Sequence, residues 1–120
     1  MNKYIFEFQT KFQALYTFNL LDVRYFRFDD NKKELLLNFG DYDHYSIDES
    51  TYDELKNNLI NLASNLNHIF DENRYIFLDH ILSVAMYNKG YFLMFKMNGC
   101  FFRISKDSYY TVLKFLKEKC

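Results

Sequence analysis

The chain contains no proline and no tryptophan, only three glycines and two cysteines among 120 residues. Each shortage excludes something. Gly40, Gly90 and Gly99 all fall in expected hairpin turns, which leaves no glycine to cradle a phosphate and rules out P-loop and dinucleotide fingerprints. Cys100 and Cys120 are too few for a disulfide framework, and a reduced, cytoplasmic setting is the simplest reading. No apolar run approaches the roughly 18 residues of a membrane span. Lys3, Glu7 and Lys11 break the first residues, which therefore do not read as a signal peptide. No proline, linker or low-complexity tract divides the chain, and its length fits a single domain over residues 1–120.

What the chain has in abundance is aromatic side chains, 14 Phe and 11 Tyr, within an ordinary globular balance of 49% hydrophobic and 26% charged residues. Phe, Tyr, Asn, Lys and Ile dominate at the expense of Gly, Ala, Arg and Pro. That bias towards A/T-rich codons indicates a low-GC genome, such as that of a bacterium or its phage. A formal net charge of −1 conceals an asymmetry: residues 1–60 carry 7 basic and 11 acidic groups, residues 61–120 carry 8 and 5.

A pattern recurs 57 residues apart: Ile47, Tyr52, Leu55 and Leu59 match Ile104, Tyr109, Val112 and Leu116. The same offset aligns Leu21-Asp22 with Leu78-Asp79 and Asn31-Lys32 with Asn88-Lys89. Such self-similarity predicts two pseudo-repeats, approximately 16–70 and 73–120, each a three-stranded antiparallel meander followed by a helix. The first repeat reads as strands 23–29, 34–39 and 44–47, then a helix starting near Asp48 or Ser50. Its apolar stripe runs through Tyr52, Leu55, Leu59, Leu62, Leu66 and Ile69. The second reads as strands 81–87, 91–97 and 100–104, with turns at Asn88-Lys89-Gly90 and Asn98-Gly99 and a last helix capped by Ser105 or Asp107. Residues 1–20 fit both periods; lacking a hairpin signal, they are assigned a helix over 6–18. The layout is (α)βββ-αβββα, an α+β fold with helices packed on sheet.

Strand 91–97 is apolar on both faces and must be covered on both, by the rest of the chain or by another protein. No nucleophile has a base at a useful spacing, and neither catalytic nor cofactor-binding residues are assigned. Asp41, Asp43 and His44 could crowd a hard cation, but a solvated hairpin turn accounts for the same residues. Two binding surfaces stand out. One is acidic: Asp41, Asp43, Asp48, Glu49, Asp53 and Glu54, interleaved with Tyr42, Tyr45 and Tyr52, suited to a basic partner. The other is an aromatic platform of Tyr91, Phe92, Phe95, Phe101 and Phe102 with Lys89, Lys96, Arg103 and Lys106 as phosphate partners, which would bind single-stranded nucleic acid.

In size, composition bias and lack of a catalytic constellation, the chain is similar to small stand-alone inhibitors of bacteria and phages, such as anti-CRISPR and toxin-immunity proteins. That resemblance of type implies a non-enzymatic, cytoplasmic inhibitor with no cofactor. It would block a basic nucleic-acid-processing partner, a nuclease or nuclease–RNA complex, through the acidic and tyrosine surface. Direct nucleic-acid contact is the alternative. The acidic patch could instead meet the Lys-rich last helix, in the same chain or in a homodimer mate.

Overall fold

In the computed structural model, residues 3–39, 42–96 and 101–118 are described, with the side chains of Tyr42 and Asp43 left aside. Among these residues ten strands and two α-helices build an α+β fold: β1 (Ile5–Gln9), β2 (Leu15–Asn19), β3 (Tyr25–Asp29), β4 (Glu34–Asn38), β5 (Tyr42–Ser46), α1 (Tyr52–Ala63), β6 (His68–Asp71), β7 (Arg74–Phe77), β8 (Ile81–Tyr87), β9 (Gly90–Phe95), β10 (Phe101–Ile104) and α2 (Lys106–Glu118). All strand pairings are antiparallel. A central five-stranded sheet has the order β5-β4-β3-β7-β6, a three-stranded sheet the order β10-β9-β8, and β1 and β2 form a separate hairpin.

Strand alternation in β3 and β4 divides the core in two. Phe26, Phe28, Leu35 and Leu37 face one side, where they pack with Phe8 and Phe18 of the hairpin and Tyr52, Leu55 and Leu59 of α1. Tyr25 and Leu36 face the other, joined by Ile76 of β7, and meet Leu93, Phe95, Ile104 and Val112 from the three-stranded sheet and α2. The central sheet is therefore covered on both faces.

The end of the chain is clamped to this sheet by one buried carboxylate. Asp71, at the end of β6, accepts from the Ser105 backbone N–H at 3.1 Å and from the Ser108 hydroxyl at 2.8 Å. Ser105 Oγ in turn accepts from the Ser108 N–H, the N-cap arrangement expected at Ser105. Arg74 lies 3.4 Å from the Asp71 carboxylate and stacks its guanidinium 4.0 Å from the centroid of the Phe102 ring. Burial alone would raise the Asp71 pKa; the hydrogen bonds from Ser105 and Ser108, with Arg74 nearby, outweigh it and hold the carboxyl below its ordinary value.

Three elements differ from the sequence expectation. Residues 6–18 form the β1–β2 hairpin, not a helix: Thr10 Oγ1 accepts from the N–H groups of Phe12 and Ala14, and Gln13 adopts φ 67°, so the turn closes without glycine. The first helix starts at Tyr52 with Thr51 as N-cap, and no side chain caps it; Ser50 Oγ donates to Asp48 instead. It stops at Ala63, and Ile69, which continues the apolar spacing, belongs to β6. The β6–β7 hairpin was not anticipated; Glu72 and Asn73 turn it with φ of 48° and 68°. The element order is the same in both halves, but the pairings are not: β6–β7 extends the first meander, while β1–β2 pairs with no other strand beyond a Thr10–Ile47 bridge. The halves are not equivalent packing units.

Candidate nucleic-acid interface

The register of the three-stranded sheet decides which aromatic side chains are available. Leu93 is opposite Val84 and Phe102, and Tyr91 is opposite Met86 and Ile104; this face turns to the core and to α2. The opposite face is built in rows. Phe101, Met94 and Ser83 form one, Arg103, Phe92 and Ala85 the next, and Tyr87 lies across from Gly90 at the β8–β9 turn. Phe92, Met94, Phe101 and Tyr87 belong to neither hydrophobic cluster. Phe101 is 58% exposed and Tyr87 75%.

Strand parity thus splits the five rings expected to form one platform. Tyr91, Phe95 and Phe102 are core residues: Phe95 stacks on Tyr25 at 6.1 Å, Phe102 lies 5.0 Å from Tyr25, and Tyr91 lies 5.2 Å from Tyr109. Phe92 and Phe101 remain on the outer face, edge to face with centroids 6.2 Å apart. Tyr87 and Met94 were not anticipated there, although Met94 shares the parity of Phe92. Arg103 is exposed within the outer face, Lys96 is exposed just past β9, Lys89 occupies the β8–β9 turn and Lys106 begins α2. From Ile81 to Glu118 the chain carries six basic side chains and two acidic ones, against an overall net charge of −1.

The acidic surface is built differently from the expectation. Tyr52 is 1% exposed, its ring edge-on to Phe28 at 5.8 Å and its hydroxyl donating to Asp30 at 2.6 Å. Burial, with the Asp30 carboxylate beside it, pushes the Tyr52 pKa well up. Tyr45 is half-buried between Phe8 and Tyr16, 5.4 and 4.6 Å away. Tyr52 is thus a core side chain, and Tyr45 is packed against the core. Asp48 is half-buried beside Ser50, while Glu49, Asp53 and Glu54 are exposed around the start of α1. Asp41 and the side chains of Tyr42 and Asp43 lie outside the described residues, as do Gly40, Cys100, Cys120 and the Asn98-Gly99 turn. Elsewhere in the first half, Asp29 Oδ1 accepts from the N–H groups of Asn31 and Lys32. Asp30 pairs with Lys56 at 2.8 Å, which with the Tyr52 hydroxyl lowers its pKa.

Among the described residues no group of three or more His, Cys, Asp or Glu side chains could hold a metal ion. His44 is exposed on β5, His68 sits 2.8 Å from the Leu66 carbonyl, and His80 donates to the Leu21 carbonyl at 2.7 Å. No helix among these residues is long and apolar enough to cross a membrane.

No family model and no curated protein matches the chain. Among solved structures, it is similar to the LytTr DNA-binding domain of a response regulator from Bacillus cereus, with a TM-score of 0.55 and 15% identity, over 96% of this chain and 97% of that one. This overturns the expected inhibitor of the anti-CRISPR or immunity type and its basic protein partner, and favours the alternative, direct nucleic-acid contact, that the sequence had placed second. The likeness runs over nearly the whole of both chains and is one of fold, and of the tyrosines expected to anchor a protein partner, Tyr52 is buried in the core and Tyr45 packs against it.

Proposed function

We propose that this chain is a non-enzymatic DNA-binding module whose contact surface is the outer face of β8, β9 and β10. The observation that carries this reading is the company kept on that face. Phe92, Phe101 and Tyr87 stand outside both cores, and Arg103, Lys96 and Lys89 lie among them or at their margins. Basic side chains supply attraction to phosphates and aromatic ones supply contact area against bases and sugars. Its likeness in fold to a protein domain described as DNA-binding supports the same reading. The exposed acids at the start of α1 belong to another part of the molecule and would repel DNA there, favouring approach by the basic side.

The test is a titration of labelled DNA at several salt concentrations. Four contacts, from Lys89, Lys96, Arg103 and Lys106, correspond to a slope of log K against log salt near −3.6 on duplex, at about −0.9 per phosphate. Arg103→Ala or Lys96→Ala flattens that slope by about 0.9 each, and Glu49→Gln leaves it unchanged. Absence of any salt-dependent binding, to single or double strands, ends this reading.

A further inference from the structure

The chemistry of the outer face specifies the form of its ligand, an inference that rests on the DNA-binding reading above. We infer that this face takes unpaired nucleotides, their bases stacking on Phe101 and Phe92 along a diagonal that leads towards Tyr87. A paired base inside a duplex presents only its edges in the grooves, and its two faces are already occupied by neighbours. Exposed rings on a sheet find no stacking partner there, whereas every unpaired base offers a π-face.

Three features of the sheet fit this ligand. Phe101 on β10, Phe92 on β9 and Tyr87 on β8 occupy successive strands and successive rows, so they step diagonally across the sheet instead of clustering. Arg103 shares a row with Phe92, Lys96 extends the same side of β9 beyond Met94, and Lys89 adjoins Tyr87; cations therefore accompany the ring track along its length. The third feature is Gly90. A Cβ at Gly90 would lie 2.7 Å from Phe92 Cε2 and 2.9 Å from Cζ. The Phe92 ring thus leans along its own strand and covers the glycine, which is buried beneath it. Any larger residue at 90 must push the ring away. The absent side chain is what seats Phe92 in the track, and a β9 that began with a β-branched residue, as strand propensity favours, would lose that seat.

The experiment is fluorescence anisotropy with a labelled oligothymidylate and with a duplex of the same length, each at two potassium chloride concentrations, using the intact chain. The single strand is expected to bind more tightly than the duplex. Phe101→Ala weakens single-strand binding about tenfold, in the range for loss of one stacked base. It leaves the thermal midpoint and the salt slope as they were, because Phe101 is exposed and uncharged. Phe101→Tyr keeps the affinity, and Gly90→Ala lowers it severalfold without altering the salt slope. Tighter binding to duplex, or equal loss on both ligands from Phe101→Ala, overturns the unpaired-base inference and leaves the DNA reading standing. No salt-dependent binding to either ligand overturns both.

Discussion

The Ser108 hydroxyl reaches back from the first turn of α2 to the Asp71 carboxylate, 37 residues earlier and 2.8 Å away. This contact joins the central sheet to the helix that covers the three-stranded sheet, and so fixes the platform that bears Phe92 and Phe101. Asp71 is 4% exposed, and removing it strands the Ser105 N–H, the Ser108 hydroxyl and part of the Arg74 charge.

Asp71→Ala is therefore expected to cost about 3 kcal/mol, the range for breaking one side of a buried, charge-assisted network. Urea unfolding measures it. Ser108→Ala, which removes one donor and leaves the other contacts, should cost about 1 kcal/mol. Equal and small losses in both would mean that the carboxylate does not hold the helix.

The same carboxylate sets a pH dependence. Its folded pKa lies below the ordinary 3.8, so its contribution is complete above that value and is lost as pH falls through the lower, folded one. Asp30 shifts in the same direction but is 62% exposed, and its share is screened. Wild type should thus lose stability steeply on acidification below pH about 4, and Asp71→Asn more gently over that interval. Parallel curves for the two proteins would rule out the linkage.

Tyr52 offers a direct contrast between core and interface. Tyr52→Phe keeps the ring against Phe28 and removes only the hydrogen bond to Asp30, an expected loss of about 1 kcal/mol. Tyr52→Ala empties a buried site and should cost 3–5 kcal/mol, roughly the range for aromatic-to-alanine changes in cores. Chemical denaturation separates them. A Tyr52→Ala protein of undiminished stability would return this residue to the surface.

Much of the second half was legible because its signals are local. Residues 81–87, 90–95 and 101–104 alternate or pack as strands, and Ser105 caps the last helix as its position suggests. The failures share a cause. Leu66 and Ile69 keep helical spacing with Leu59 and Leu62 although the helix has ended at Ala63, and no glycine or proline marks the break. The β1–β2 turn relies on the Thr10 side chain and on Gln13 at positive φ, neither of which has the sequence signature of a hairpin. For the site, composition located the aromatic and basic residues, but only strand register separates Phe92 and Phe101 from Tyr91, Phe95 and Phe102. The tyrosines of the acidic stretch met a related difficulty, for Tyr52 is buried and Tyr45 packs against the core. Residues close in sequence fall on different faces of a strand, and tyrosine reads alike in a core and at an interface.

Lys89 carries the last prediction, because stability and binding should move in opposite directions there. Asn88 and Lys89 form the two-residue turn between β8 and β9, with φ of 51° and 64°. Both positions of such a turn require the left-handed region, where asparagine and glycine are at ease and lysine is not. Lys89→Gly relieves that strain against a partial entropic penalty in the unfolded chain, for an expected net gain of about 0.5–1 kcal/mol. If Lys89 meets a phosphate, the same substitution flattens the salt slope of binding by about 0.7 on a single strand and about 0.9 on duplex. Lys89→Asn should behave alike, since it too accepts positive φ without charge. If the glycine variant gains stability and keeps its slope, Lys89 makes no phosphate contact; if it loses stability, the turn carries no strain to relieve.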